Sequence, residues 1–325
     1  MSIVERALQK AQALAKAVSA HEPVTSAQPP VPPDRLEPVE PASQHAHERP
    51  ARPQSDTSIT SRDLKQIVQI DIERLRVAGR LPPAGMAQQT EEEIRRIKWP
   101  LLKSITGRDG AAPARNKVIL VTSAVPGEGK TYTSLSLALS IVRDREIRVI
   151  LVDGDVARPG LTPTLGLEGR PGLNDVLEDT SRDVSSVTYQ TDVEGLFFLP
   201  AGKWHEHAPE FFAGSRMPQV IAELDRRVGN GVIILDSPPL LATNEAQAAT
   251  RYVGQVLMVV RADDTEQQVV LDALALVDKS TPVRAILNRV EASMLSRYYG
   301  QYYYGYGYGH GRDRDRGEQS GKGDA

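Results

Sequence analysis

Lys117-Val-Ile-Leu-Val-Thr122, followed through Ser123 by Ala124-Val-Pro-Gly-Glu-Gly-Lys-Thr131, is the stretch that decides the fold. A short apolar run of strand character passes through a glycine-rich turn into a helical pattern. Glycines in such a turn let backbone N–H groups point at phosphate oxygens without a Cβ in the way. In a P-loop of this layout Lys130 reaches the β- and γ-phosphates, the Thr131 hydroxyl holds Mg²⁺, and the helix that follows adds its positive N-terminal end. The expected nucleotide-facing set is Pro126, Gly127, Glu128, Gly129, Lys130 and Thr131. Tyr132, in the next turn, is included with it; packing in the helix and modification of its hydroxyl are its other readings. Ala124 stands where the pattern G-x-x-x-x-G-K-[ST] has its first glycine. A glycine-rich turn without a ligand is the competing reading, and Gly127 with Gly-Lys-Thr directly after a strand argues against it.

Two further strands end in carboxylates. Val149-Ile-Leu-Val-Asp153-Gly-Asp155-Val-Ala-Arg158 places Asp153 and Asp155 on one side of an extended chain. Close like charges call for a cation, although Asp-Gly is also a common turn pair. Val232-Ile-Ile-Leu-Asp236-Ser-Pro-Pro239 has the Walker B form, an apolar strand delivering one carboxylate to Mg²⁺. Three strands, each bringing one piece of a Mg–ATP site, form a stronger signal than any one motif.

Working outward, strands are expected at Lys117–Thr122, Arg148–Val152, Leu196–Leu199, Val232–Leu235, Val256–Val260 and Arg284–Leu287, with helical stretches between most of them. Runs so uniformly apolar suit a parallel sheet covered on both faces. The fold class is α/β, a doubly wound, mostly parallel sheet of the P-loop NTPase type, spanning 111–297. Its ligands belong at the carboxyl ends of the strands.

Before this domain, residues 1–18 repeat apolar positions at helical spacing, a docking helix or a terminal helix packed on its own domain. Residues 19–60 hold nine of the 23 prolines and few large apolar residues, and read as a disordered linker. His21, His45 and His47 fall in it and read as solvated. Residues 61–110 read as a helical oligomerisation or adaptor segment. One helix runs from Asp71 to Val77 and stops at Gly79; a second is capped by Thr90, and Pro100 is expected to end or kink it. At the other end, 298–325 reads as a flexible tail. Tyr298, Tyr299, Tyr302, Tyr303, Tyr304, Tyr306 and Tyr308 are seven of the chain's ten tyrosines, interleaved with glycines that oppose a fixed fold.

Composition narrows the function classes. The chain of 325 residues has no cysteine, which excludes disulfides, thiolate metal sites and a cysteine nucleophile. A net charge of −3 gives no global pull toward nucleic acid. No stretch has the roughly 18 apolar residues of a membrane span. The expected location is cytoplasmic, at the inner membrane only through a partner. His205 and His207 lie two apart in an expected loop and do not make a metal site; Asp263 and Asp264 read as helix-start carboxylates.

On these motifs the sequence resembles the bacterial tyrosine kinases of capsule and exopolysaccharide biosynthesis. Their P-G-E-G-K-[ST] loop, Asp-x-Asp strand, Asp-[ST]-Pro-Pro strand end and C-terminal tyrosine cluster all occur here in order over 117–308. Within the family it looks most like the subgroup associated with exosortase loci. The resemblance implies a tyrosine autokinase using ATP and Mg²⁺. Lys130 would bind phosphate, Thr131, Asp155 and Asp236 would hold the metal, and Asp153 would be the base for the incoming phenol. Arg158 would assist at the phosphates, and Asn288 would lie near adenine. The tail tyrosines would be the acceptors. Glu92, Arg95 and Lys98 match the E-x-x-R-x-x-R motif that joins relatives into rings, with lysine at the last position. The resemblance also implies self-assembly, a separate membrane-embedded chain-length protein as activator, and a tyrosine phosphatase. The alternatives are a ParA/MinD-like switch ATPase, whose loop usually carries an early lysine where Val125 stands here, and a nucleotide-gated scaffold without transfer.

Overall fold

The computed structural model describes residues 67–106, 116–204 and 206–290. The N-terminal helix and linker expected over 1–60, His205 and the tyrosine tail lie outside the described residues. The chain divides into a unit ending at Asn288 and a second beginning at Arg289. Only Arg289 and Val290 of the second are described.

Seven strands form one sheet: β1 Val118–Ser123, β2 Arg148–Asp153, β3 Tyr189–Gln190, β4 Leu196–Leu199, β5 Gly231–Asp236, β6 Gln255–Arg261 and β7 Val283–Asn288, in the order β3-β4-β2-β5-β1-β6-β7. Every pairing is parallel except β3 with β4. All six expected strands are present. The two-residue β3 carries too little sequence to announce itself and exists because β4 offers it an edge.

Alternate strand residues face opposite cores, as the period of two requires. Leu120, Ile150, Val152, Ile233, Leu235 and Met258 belong to one core; Ile119, Val121, Leu151, Ile234 and Val259 belong to the other. The first core also includes residues of helices α5 Leu173–Glu178, α6 Ala208–Ala213, α7 Arg216–Val228, α8 Asn244–Ala249 and α9 Gln267–Ala275. The second includes residues of α1 Ile72–Val77, α2 Ala87–Thr106, α3 Lys130–Val142 and α4 Leu161–Thr164. Residues 72–106 are therefore built into the same core as the P-loop helix α3.

Asp71 caps α1 by accepting from the Arg74 N–H at 2.9 Å, and Gly79 follows at a φ of 66°. In α2 two expectations are corrected. The helix begins at Ala87, after a 3₁₀ turn over Ala84–Met86, so Thr90 lies inside it and does not cap it. It also continues through Pro100 to Thr106, so of the end or kink expected there the helix end does not occur. A helical proline costs about 3 kcal/mol, and tertiary contacts on both sides of it offset that cost. Before it, the Lys98 ammonium donates to the Ser140 carbonyl at 3.0 Å and pairs with Asp144. After it, Leu101 is wholly buried and its carbonyl accepts from the Gln255 amide at 3.0 Å. Leu101→Ala is accordingly expected to cost ~2–5 kcal/mol of global stability, read as a lowered urea midpoint. An effect under about 0.5 kcal/mol, the range of surface substitutions, would mean that α2 is not part of this core.

Candidate nucleotide site

The site lies at the carboxyl ends of β1, β2 and β5. After β1 the chain turns through Pro126 and Gly127, both exposed, into α3. Gly127 and Gly129 have φ values of 85° and 99°, which side-chain-bearing residues rarely adopt. Ala124 is not among the residues of positive φ, and its methyl is buried in the core. That explains how the loop keeps its shape with alanine in place of the usual first glycine: this position requires no left-handed backbone.

Three carboxylates converge on the start of α3. Asp153 and Asp236 end neighbouring strands and are paired in register. The Thr131 hydroxyl donates to Asp236 Oδ2 at 2.8 Å, and the Ser134 hydroxyl donates to its Oδ1 at 3.1 Å. Burial, with Asp153 beside it, pushes the Asp236 carboxyl up to about 7 despite those hydroxyls and Lys130. Burial likewise lifts Asp153 to about 6. Its Oδ2 accepts from the Thr162 N–H at 2.7 Å and the Thr162 hydroxyl at 2.8 Å, while its Oδ1 is buried with no hydrogen-bond partner. Asp155 is half-buried, and its Oδ1 accepts from the Arg158 N–H at 3.0 Å. Its pKa is raised by burial, against the pull of that N–H, Lys130 and Arg158. Lys130 feels the counterpart: burial lowers its pKa, and Asp236, Asp155 and Glu128 act in the opposite direction.

This donor set fits a magnesium nucleotide. The carboxylates around Lys130 leave the pocket short of positive charge, and the orphaned Oδ1 of Asp153 and the raised Asp236 register that deficit. Among the described residues no three His, Cys, Asp or Glu side chains form a metal cage by themselves. Such a site suits an ion that shares its coordination with phosphate oxygens.

The remaining expected residues fall into place less uniformly. Glu128 does not face the loop interior: its Oε2 accepts from the Val125 N–H at 2.8 Å, and its Oε1 from the Arg261 N–H at 3.1 Å and the Thr265 hydroxyl at 2.6 Å. The Asn288 amide donates to the Glu128 carbonyl at 2.8 Å, which sets it against the loop backbone. Tyr132 is half-buried, with Thr90 of α2 near its hydroxyl, and burial raises its pKa. Glu92 and Arg95 are exposed on α2, whereas Lys98 is buried and bound to α3, so its charge is directed inward. Arg261 pairs with Asp263 and Asp264 ahead of α9, so these carboxylates do not start the helix.

Three residues were not foreseen. Ser134 had a signal, because positions 131 and 134 share a helix face. Thr162 and Thr265 had none, since each meets its carboxylate through the tertiary fold.

No protein-family model matches the chain. The tyrosine-protein kinase Wzc of Salmonella typhimurium is 28% identical over 148 residues, 46% of this chain and 20% of that protein. CapB of Staphylococcus aureus, another protein of tyrosine-kinase name, is 27% identical over 191 residues, 58% of this chain and 81% of that one. Among solved structures, the VpsO kinase domain matches with a TM-score of 0.53 at 26% identity, covering 64% of this chain and 100% of that one. The chain spans about a quarter of the length of several curated relatives it matches. The resemblance read from the motifs thus extends, in sequence and in fold, to proteins named as bacterial tyrosine kinases. No helix among the described residues is long and apolar enough to cross a membrane.

Proposed function

We propose, taking as premise a domain similar to the bacterial tyrosine kinases, that this protein transfers the γ-phosphate of ATP to tyrosine, with its own 298–308 cluster as acceptor. The observation that carries the reading is the placement of Asp155 and Asp236 around the P-loop residues Lys130 and Thr131, with Asp153 beside Asp236. Phosphoryl transfer needs charge neutralisation and positioning more than covalent chemistry. Lys130 and the N–H groups of the loop neutralise the phosphates. Thr131, Asp155 and Asp236 would hold Mg²⁺, which when bound supplies further charge neutralisation. Arg158 lies at the mouth and adds positive charge there.

A free phenol has a pKa near 10, so its proton needs an acceptor. Burial raises Asp153 to about 6, which makes it a stronger base than an ordinary carboxylate. Asp155, half-buried beside it, is the carboxylate that an incoming tyrosine meets first.

The resemblance extends the proposal to a setting: a homo-oligomer, a ring in some relatives, acting in extracellular polysaccharide synthesis with a membrane-embedded activator and a phosphatase. The exosortase-associated subgroup belongs to the same proposal. With Lys98 held inside, Glu92 and Arg95 are the motif residues left exposed for a neighbouring copy.

Intact-mass and peptide mass spectrometry after incubation with Mg–ATP tests the reading. Phosphate is expected on tyrosines 298–308. ATP hydrolysis with an unmodified tail, in the presence of an activator segment, would favour the switch-ATPase or scaffold reading instead.

A further inference from the structure

A carboxylate inside a phosphate-binding loop is an electrostatic liability unless it is turned away and held. Glu128 is 1% exposed, and both of its oxygens accept hydrogen bonds from backbone or hydroxyl donors. One donor, the Val125 N–H, belongs to the P-loop itself. The other two, the Arg261 N–H and the Thr265 hydroxyl, belong to the segment that leaves β6. That segment is a closed turn, with the Thr265 N–H donating to the Arg261 carbonyl at 3.1 Å. It is also tied to β7, because the Ala262 N–H donates to the Asn288 carbonyl at 2.9 Å. The Asn288 side chain returns to the loop through the Glu128 carbonyl. Residue 128 is therefore gripped by its side chain from β6 and by its backbone from β7.

We propose that Glu128 is the positioning residue of the phosphate loop: through Thr265 and the Arg261 N–H it fixes the loop in its nucleotide-binding shape, so phosphate affinity depends on a turn that carries none of the phosphate- or metal-binding residues. An ionised carboxylate is acceptor-only and can take three donors on two oxygens. A glutamine of the same shape keeps one acceptor oxygen but turns its N–H₂ toward at least one backbone N–H that also donates, so Glu128→Gln breaks one side of the clamp without opening a cavity. Thr265→Val removes one arm of it at nearly constant volume, and the Thr265 side chain is committed to Glu128. This inference rests on the nucleotide-site reading and not on the identity of the phosphate acceptor.

The test is titration of the full chain with a fluorescent Mg–ATP analogue, beside melting without nucleotide. Glu128→Gln is expected to weaken binding about 10- to 30-fold and Thr265→Val about 3- to 10-fold, the range of one charged or neutral hydrogen bond. Thr265→Ser is expected to restore affinity to within about twofold, and the Glu128→Gln/Thr265→Val pair to fall short of the product of the two. Variants that melt earlier yet bind within about twofold of wild type would assign Glu128 a stability role only and overturn the proposal; so would full additivity of the pair. A wild type that binds no nucleotide would instead overturn the site reading beneath it. Should Glu128→Gln fail to fold, Thr265→Val against Thr265→Ser decides the question.

Discussion

Lys130→Met is expected to lower tyrosine transfer by at least about 10³-fold, some 4 kcal/mol of barrier, with the fold retained. Methionine keeps most of the aliphatic stem, so packing in the first turn of α3 changes little. What is lost is the cation that Asp236 and Asp155 both feel. Without it a polyphosphate anion meets three carboxylates with less opposing charge. The effect should appear in nucleotide affinity as well as in turnover, because Lys130 acts on the ground-state anion and on the charge that develops during transfer. Phosphotyrosine quantified by mass spectrometry in a single turnover, with circular dichroism as the fold control, provides the measurement. Transfer within about tenfold of wild type would remove Lys130 from the mechanism and, with it, the P-loop reading.

The second large effect is an inverted pH response. Asp236→Asn is expected to stabilise the nucleotide-free protein at pH 8 while eliminating Mg-dependent nucleotide binding. The sign follows from the direction of the shifts. Asp236 and Asp153 titrate near 7 and 6 in the folded chain, above the usual 3.8. The folded state thus binds protons that the unfolded state has released. Stability from these groups is fully present below about pH 4 and is lost as pH rises through 6 to 7. Removing the Asp236 charge relieves that loss, by on the order of 2 kcal/mol at pH 8, and the repulsion between Asp236 and Asp153 goes with it. The difference in melting temperature between variant and wild type should therefore be small at pH 5 and positive at pH 8. Saturating Mg–ATP should reverse the order, because only the wild type gains from binding. A variant less stable than wild type at pH 8 without nucleotide would show that the hydrogen bonds from Thr131 and Ser134 outweigh the buried charge.

The two α2 corrections show where sequence pattern stops being informative. Proline is a strong local breaker, and the propensity argument at Pro100 is sound for an isolated helix. It fails here because Lys98, Leu101 and Gln255 hold the chain on both sides of the proline. Thr90 has good capping chemistry, yet the chain is already helical from Ala87, after the 3₁₀ turn of Ala84–Met86, so its backbone lies inside the helix. A cap is worth about 1 kcal/mol and a helical proline costs about 3 kcal/mol, so burial of Leu101, about 1.5–3 kcal/mol, offsets the proline together with the Lys98 and Gln255 hydrogen bonds.

What the sequence determined by itself was whatever is encoded along a continuous run. Apolar strands buried on both faces read directly as a parallel sheet. The glycines of the loop, Lys130, Thr131 and the carboxylates at 153, 155 and 236 could be picked out together as one candidate nucleotide site, because each sits at a strand end or helix start that its own neighbours define. What only the tertiary structure decided was which groups those residues lean on. Glu128 belongs by sequence to the phosphate loop, yet its carboxylate is held by Thr265, 137 positions away; Thr162 grips Asp153; Lys98, expected to face a neighbouring copy, is bound to α3. The physical reason is that a buried polar group must find a partner in space, and the partner is chosen by the crossing of elements distant in the chain, which no local spacing records.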